Sequence, residues 1–384
     1  MWAKQIDATA DGFSSKQENL LGKTPDLIFL FEVSDAHDQG ASVAQLSDIF
    51  PDVPIIGCST GTIIEGDTLS DRGATAMAIG FERTHFRVAT QAIGGSWDSQ
   101  AIGLALGLQL QASDLSAVLV LADGLHMNGS ALVSGLAEAV GSKVAISGGL
   151  AGDGARFEYT FVHGNRLSQS KLVAAIGFYG PAIRIAHGYA SGWEVFGPNR
   201  AITRSEDNVL YELDGKPALD LYERYLGEEA AGLPASALFY PLQIWQPDQP
   251  DHKVVRTILS VDHDARSMTF AGDVPQAWKA RLMRGRLDNL IESATDAAQL
   301  AMSALKKVGA SLNPSLCVTV SCVGRRLLLG QRAEEEVKGV ADVLGEGVAH
   351  IGFYSYGEIA PRSDSVLCNL HNQTLTLTLM AEAD

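Results

Sequence analysis

Apolar residues in this chain gather in short runs of strand length, and between several of these runs they recur at helical spacing. From Pro25 the pattern predicts a strand (Asp26 to Glu32), a helix (Gly40 to Phe50), strands at Val53 to Gly57, Gly73 to Phe81 and His85 to Ile93, and a helix over Gln100 to Gln111. The order then begins again. Strand Ser116 to Ala122 and helix Ala131 to Val140 precede strands near Lys143 to Gly148, Glu158 to His163, Lys171 to Tyr179 and Ala182 to Ser191. Asp214-Gly215-Lys216-Pro217 reads as a turn whose proline opens a helix, Ala218 to Leu226. Beyond it the pattern gives strands near Ala237 to Trp245, Val254 to Val261 and Ser267 to Ala271, then a long helix, Gln276 to Val308. Strand Leu316 to Val323, helix Ala333 to Leu344, strand Val348 to Tyr356 and strand Leu370 to Met380 close the chain. Strands alternate with helices but also follow one another directly. The expected fold class is therefore α/β, with mixed sheets built from repeated strand-helix-strand-strand units in two domains, 25–215 and 216–380.

One unit is written twice. Ala78-Ile79-Gly80-Phe81 and, after four intervening residues, Phe86-Arg87-Val88-Ala89 recur as Ala175-Ile176-Gly177-Phe178 and, again after four intervening residues, Ile183-Arg184-Ile185-Ala186. A looser third echo is His350-Ile351-Gly352-Phe353. Residues present in one copy and absent from the others are where specialised chemistry should be sought.

Length, charge and cysteines narrow the picture. A chain of 384 residues with 46% apolar content exceeds one hydrophobic core and excludes disorder. Its net charge of −16 is scattered and would repel phosphate backbones and anionic membranes, so neither nucleic acid nor membrane is an expected partner. No apolar stretch reaches signal-peptide or membrane-span length, which points to the cytoplasm. Cys58, Cys317, Cys322 and Cys368 include no CxxC pair, which disfavours a structural zinc site or disulfide framework, and without CxxCH any haem would be held non-covalently.

Several constellations could carry chemistry. Gly57-Cys58-Ser59-Thr60-Gly61 matches the G-x-S-x-G elbow of serine hydrolases and follows a strand, but extended chain follows where a helix should begin. Gly148-Gly149-Leu150-Ala151-Gly152-Asp153-Gly154 invites a phosphate-loop reading, yet lacks the Lys-Ser/Thr pair and the helix. Asp153 there either caps a turn or gives a carboxylate to a pocket. Strand alternation would set Tyr354, Tyr356 and Glu358 on one face, either as a pocket wall or as a solvated strand face. In the last strand Leu375, Leu377 and Leu379 oppose Thr374, Thr376 and Thr378, and His371 and Gln373 share the parity of the leucines. His187 continues the parity of Ile183 and Ile185, stands where the first copy has Thr90, and precedes an aromatic-flanked turn ending in Trp193. Either imidazole could be a core histidine or a ligand to haem iron. Arg204, Arg325 and Arg326 are the guanidinium groups suited to a ligand carboxylate, or to an ion pair.

Read together and in order, the Gly57–Gly61 and Gly148–Asp153 turns, Leu213-Asp214-Gly215-Lys216-Pro217-Ala218, Gly352 to Ile359 and His371-Asn372-Gln373-Thr374 resemble the FIST family of intracellular signal-transduction sensors, over residues 25 to 380. The resemblance implies small-ligand sensing, amino acids included, with output through histidine kinases, cyclic-dinucleotide enzymes or chemoreceptors. Some members are haem proteins that sense nitric oxide, which would give His187 or His371 to the cofactor. The expected function is a ligand sensor acting through a separate partner such as a histidine kinase. Its pocket would be lined by Cys58, Ser59, Thr60, Asp153, Trp193, Arg204, Tyr354, Tyr356, Glu358 and Asn372. A hydrolase using Ser59 or Cys58 is the alternative.

Overall fold

The computed structural model describes all residues except 10–11, 14–21, 35–39, 95–97, 234, 310–312, 362–367 and 384. Its body is three six-stranded sheets of one design. Strand β1 is Trp2–Ile6. The first unit then runs β2 (Leu27–Val33), helix α1 (Ala41–Ile49), β3 (Ile55–Thr60), the hairpin β4 (Ile63–Glu65) and β5 (Thr68–Ser70), β6 (Ala74–Gly80) and β7 (His85–Ala92). Helix α2 (Ser99–Leu110) leads to the second unit: β8 (Leu115–Ala122), α3 (Gly129–Val140), β9 (Ala145–Leu150), hairpin β10 (Val162–Gly164) and β11 (Leu167–Gln169), β12 (Leu172–Tyr179) and β13 (Ile183–Ala190).

An antiparallel sheet follows, formed by strands between Trp193 and Gly285, with helix α4 (Ala218–Leu226) packed on it. After helix α5 (Leu287–Val308) comes the third unit: β14 (Leu316–Cys322), helices α6 (Val323–Leu329) and α7 (Ala333–Leu344), β15 (Ala349–Ser355), hairpin β16 (Gly357–Pro361) and β17 (Cys368–His371), and β18 (Leu375–Glu382). The α/β class with mixed sheets is observed. The boundary expected near residue 215 falls inside the antiparallel sheet, where 209–213 pairs with both 216–217 and 267–270.

Each unit lends its strands to its neighbours. The first sheet has the order β1-β6-β2-β3-β10-β11, the second β7-β12-β8-β9-β16-β17, and the third β13-β18-β14-β15-β4-β5. Every hairpin therefore leaves its own unit and extends the sheet of another, while β7 and β13 cross to the following unit. The inner faces of all three sheets meet in one core containing Phe29, Phe31, Leu119, Ile176, Val318 and Phe353.

The ladders correct the register of the repeat. Leu30 and Val120 face Gly57 and Gly148 across parallel pairs, and on their other side they face Ala76 and Ala175. Ala175 thus corresponds to Ala76, two residues from the Ala78 that the sequence matches to it. A slip of two preserves which face each side chain occupies, so the hydrophobic pattern cannot detect it. Gly352, opposite Thr319, corresponds to Gly57 and Gly148 and belongs to the helix-following strand, so the third echo matches a different strand from the one it seemed to repeat.

Three further expectations change. Residues 279–285 form a strand before α5, because pairing of Leu282 with Leu242 and Ala280 with Ile244 outweighs local helix propensity. Residues 158–161 are not strand, since the backbone N–H groups of Glu158, Tyr159 and Phe161 are taken by side chains. The terminal strand breaks at 372–374, where Gln373 has φ +61, and its two pieces enter different sheets. The leucines of β18 pack on α5 and α7 as the pattern implies, but His371 stacks on Tyr189, 4.8 Å between ring centroids.

A Cβ on Gly57 would lie 1.6 Å from the Leu30 carbonyl oxygen, and the corresponding distances at Gly148 and Gly352 are 1.8 and 2.2 Å, measured to Val120 and Thr319. This one position in each unit must be glycine for the central strands to close together. Gly57→Ala is expected to cost at least about 2 kcal/mol of stability through backbone displacement. A thermal midpoint equal to the parent's would refute the close approach.

Candidate functional site

The carboxyl ends of β3, β9 and β15 converge, and most of the residues singled out from the sequence meet there. Ser59 Oγ donates to Gly152 O at 3.0 Å and accepts from Phe161 N at 3.1 Å. Thr60 Oγ1 donates to Tyr354 O at 2.8 Å and accepts from Tyr354 N at 3.1 Å. Asp153 accepts from the backbone N–H groups of Phe157, Glu158 and Tyr159 at 2.8 to 2.9 Å and from the Tyr356 hydroxyl. Tyr354 donates to Glu336, which forms a fully buried ion pair with Arg325 at 2.8 Å. Asn372 donates to Tyr356 O at 3.5 Å. Because the chain turns at Tyr356 from one sheet into another, Tyr354, Tyr356 and Glu358 do not share a strand face.

These groups are spent on one another. Ser59 is fully buried with both hydrogen bonds on backbone, and Cys58 sits in the shared core, where burial pushes its thiol well above the usual range. Neither has an imidazole bonded to it among the described residues. Trp193 donates its indole N–H to Gln373 O at 2.6 Å. Arg204 lies apart, on the antiparallel sheet, over the Tyr211 ring and 3.7 Å from Glu212. His187 is 3.3 Å from Thr378 Oγ1 through Nδ1, burial lowers its pKa to about 4, and its Nε2 has no partner among the described residues. His371 Nε2 is 3.3 Å from Ala360 O.

The largest open space described lies beside this centre, at the carboxyl end of β2. It is a cleft of about 840 Å³ whose lining includes Glu32, Ser34, Gln45, Glu65, Arg72 and Arg156. Ligands of open α/β sheets bind outside the carboxyl ends of strands, and this cleft has that position. Asp153 builds part of its wall: by holding the backbone of 157–159 it fixes the loop carrying Arg156, whose guanidinium donates to Ser34 O at 2.8 Å. Arg156 keeps a side chain 47% exposed, so a ligand can reach it. Glu32 is only 6% exposed and faces His163 Nε2 at 3.4 Å. Burial lowers the pKa of His163 to about 3, so the ring beside Glu32 is a neutral imidazole.

Both partners are specific to one copy. The positions of Glu32 in the other units are Ala122 and Ser321, and those of His163 are Ile64 and Ile359. Glu32, Ser34 and Arg156 were missed in the sequence, although Glu32 ending the run Leu27-Ile28-Phe29-Leu30-Phe31 was a visible signal: a charge where the repeat is otherwise uncharged.

Four carboxylates, Asp7, Glu32, Glu65 and Asp71, and two guanidiniums, Arg72 and Arg156, line the cleft, so it can receive a cation and an anion at separate points. Among the described residues no group of three or more His, Cys, Asp or Glu could hold a metal ion, and no helix is long and apolar enough to cross a membrane. A family model for the FIST N domain matches residues 26–216 and one for the FIST C domain matches 218–361. No curated protein matches the chain.

Glu358 gives a pH test of the buried centre. Ser355 Oγ and Thr374 N and Oγ1 donate to it, but burial dominates and raises its pKa to about 8. A carboxyl raised in the folded state stabilises the fold below its unfolded pKa, and that contribution fades as pH rises through about 8. The slope is at most about 1.4 kcal/mol per pH unit. In thermal melts, Glu358→Gln should therefore gain on the parent as pH rises from 5 to 8. A constant difference between the two would show that Glu358 is ionised throughout.

Proposed function

This chain belongs to the FIST family, whose domains are sensors in signal transduction, and on that premise we propose that it binds a small zwitterionic metabolite, such as an amino acid, in the cleft at the carboxyl end of β2. The observation that carries the reading is the placement of Glu32 and Arg156 in one cleft. A buried carboxylate favours an ammonium group that can be desolvated beside it, and a reachable guanidinium favours a carboxylate. Ser34 and Gln45 add neutral polar side chains to the same lining. Occupancy would be reported in the cytoplasm to a separate protein such as a histidine kinase. The Arg156 loop offers a means, since it rests on Asp153 and through it on Tyr356 of the third unit. The hydrolase reading is not adopted, because Ser59 and Cys58 are enclosed and the cleft does not include them.

A haem reading has one observation in its favour, the buried Nε2 of His187, which has no partner among the described residues and belongs to a neutral imidazole suited to axial ligation. His371 suits that role less, its Nε2 lying near Ala360 O. None of the clefts described here is lined by either ring, so a porphyrin would have to part β13 from what covers it.

Two measurements separate the readings. In a thermal-shift screen of the amino acids, at least one should raise the melting temperature of the parent, since a ligand that binds only the native state stabilises it. Arg156→Ala should weaken that ligand about tenfold or more, and Glu32→Gln likewise, the loss of one charge-assisted contact each. Absence of any shift, or a shift that both variants retain, refutes the cleft. After reconstitution with haem, a Soret band lost in His187→Ala would favour the haem reading, and a featureless visible spectrum would end it.

A further inference from the structure

A second opening, of about 330 Å³, lies where the N-terminus of α3 meets the antiparallel sheet and β17. Its lining includes Ser130, Arg256, Asp273, Trp278 and Leu370. Arg256 is 6% exposed, yet among the described residues its guanidinium bonds to carbonyl oxygens alone: Nε donates to Asp273 O at 3.0 Å, and Nη1 to Leu370 O at 3.0 Å and Val255 O at 3.3 Å. Among the described residues it has no ion pair, and Nη2 has no hydrogen bond. Burial lowers its pKa to about 10, with the Asp273 charge opposing that shift. The Asp273 carboxylate itself is held by Asn128 Nδ2 at 2.8 Å.

Ser130, in the first turn of α3, has a buried Oγ without a partner among the described residues. Gly272 shows that the two groups converge, because a Cβ built there would lie 3.1 Å from Arg256 Nε and 3.1 Å from Ser130 Oγ. A buried guanidinium with no carboxylate at ion-pair distance and a hydroxyl with no partner, both among the described residues, thus face one space, while the first-turn N–H groups of α3 are already capped by Asn128 Oδ1. The guanidinium and the hydroxyl each favour an acceptor with negative charge. Trp278, Leu370, Val133 and Pro275 give that space an apolar flank.

We propose that this opening is a second ligand site, distinct from the cleft at β2, which takes a small monocarboxylate with an apolar body. The carboxylate would accept from Arg256 and Ser130 while the body lies against Trp278 and Leu370. Asp273 limits the ligand to a single negative charge, since a second would be repelled at short range. The site joins α3 of the second unit to the antiparallel sheet, so a bound ligand would fasten these two parts together. It does not depend on the reading of the β2 cleft, with which it shares no lining residue.

The test uses the full chain with sodium benzoate as the probe, sodium chloride at equal ionic strength as the control, and inorganic phosphate as the competitor. Calorimetric titration should give saturable binding of benzoate at one site. Ser130→Ala removes a hydroxyl with no partner among the described residues, so it should melt like the parent while weakening benzoate about tenfold. Gly272→Ala, which fills the point of convergence, should weaken it as well, and Arg256→Gln should abolish binding. Because Arg256→Gln could unfold the junction, Ser130→Ala is the deciding variant. Absence of benzoate binding to the parent, or equal affinity in the parent and Ser130→Ala, would overturn the proposal. Phosphate binding at this site more tightly than benzoate would overturn the assignment to a monocarboxylate.

Discussion

The exchange of hairpins between units is the constraint on which the rest of this structure depends. No sheet of the body can be completed by one stretch of chain, because β10 must reach β3, β16 must reach β9, and β4 must reach β15. Each exchange covers a strand edge that would otherwise present unpaired backbone groups. It also requires the chain to turn sharply just after the helix-following strand. At those turns the backbone leaves one sheet for another, and its N–H and C=O groups need partners that no ladder supplies. Ser59, Thr60, Asp153 and Glu358 are those partners. The polar centre is thus a product of the topology, and its enclosure follows from the closure of three sheets on one core.

That origin explains which parts of the molecule could be read from the sequence. Helices α1, α3, α4 and α7 and most strands were legible because their periodicity is local. Register and partnership were not. A two-residue slip between Ala76 and Ala78 leaves every face unchanged, and no local signal tells a hairpin which sheet it will join. The break at 372–374 was hidden for the same reason: His371-Asn372-Gln373-Thr374 alternates like a strand, although Gln373 adopts a left-handed conformation. The glycine turns looked like chemistry, a nucleophile elbow and a phosphate loop, but Gly57 and Gly148 are there because the neighbouring carbonyl leaves no room for a Cβ. Copy-specific residues such as Glu32 and His163 could be isolated only with the correct register.

Burial separates scaffold from site within this network. Asp153 receives three backbone N–H groups and a phenol, and Arg325 divides its donors among Glu336, Ser191 O and Leu290 O. Groups so fully engaged have little left for a ligand, and removing any of them would strand its partners in a low-dielectric interior. A site of exchange with solvent needs the opposite: a charge held rigidly from behind and open in front. Arg156 meets that description, because its own backbone lies in the loop that Asp153 fixes while its side chain stays reachable.

A sensor must also convert occupancy into a change elsewhere, and the connectivity here bears on how that could happen. The Arg156 loop is anchored by Asp153, Asp153 by the Tyr356 hydroxyl, and Tyr356 stacks on Phe157 of the same loop at 4.5 Å while sitting at the turn between β15 and β16. Asp71, which also lines the cleft, pairs with Arg326 of α6 at 3.0 Å. Two walls of one cleft are therefore tied to the third unit, one through the loop and one through the hairpin that this unit borrows. Drawing Arg156 and Arg72 toward a ligand would load both ties together. A contiguous path of this kind transmits a signal only if the elements it joins have two arrangements that the ligand distinguishes. The turn at Tyr356 is the natural place for them, since it decides how β16 and β17 lie against β9, and β17 in turn borders the opening around Arg256.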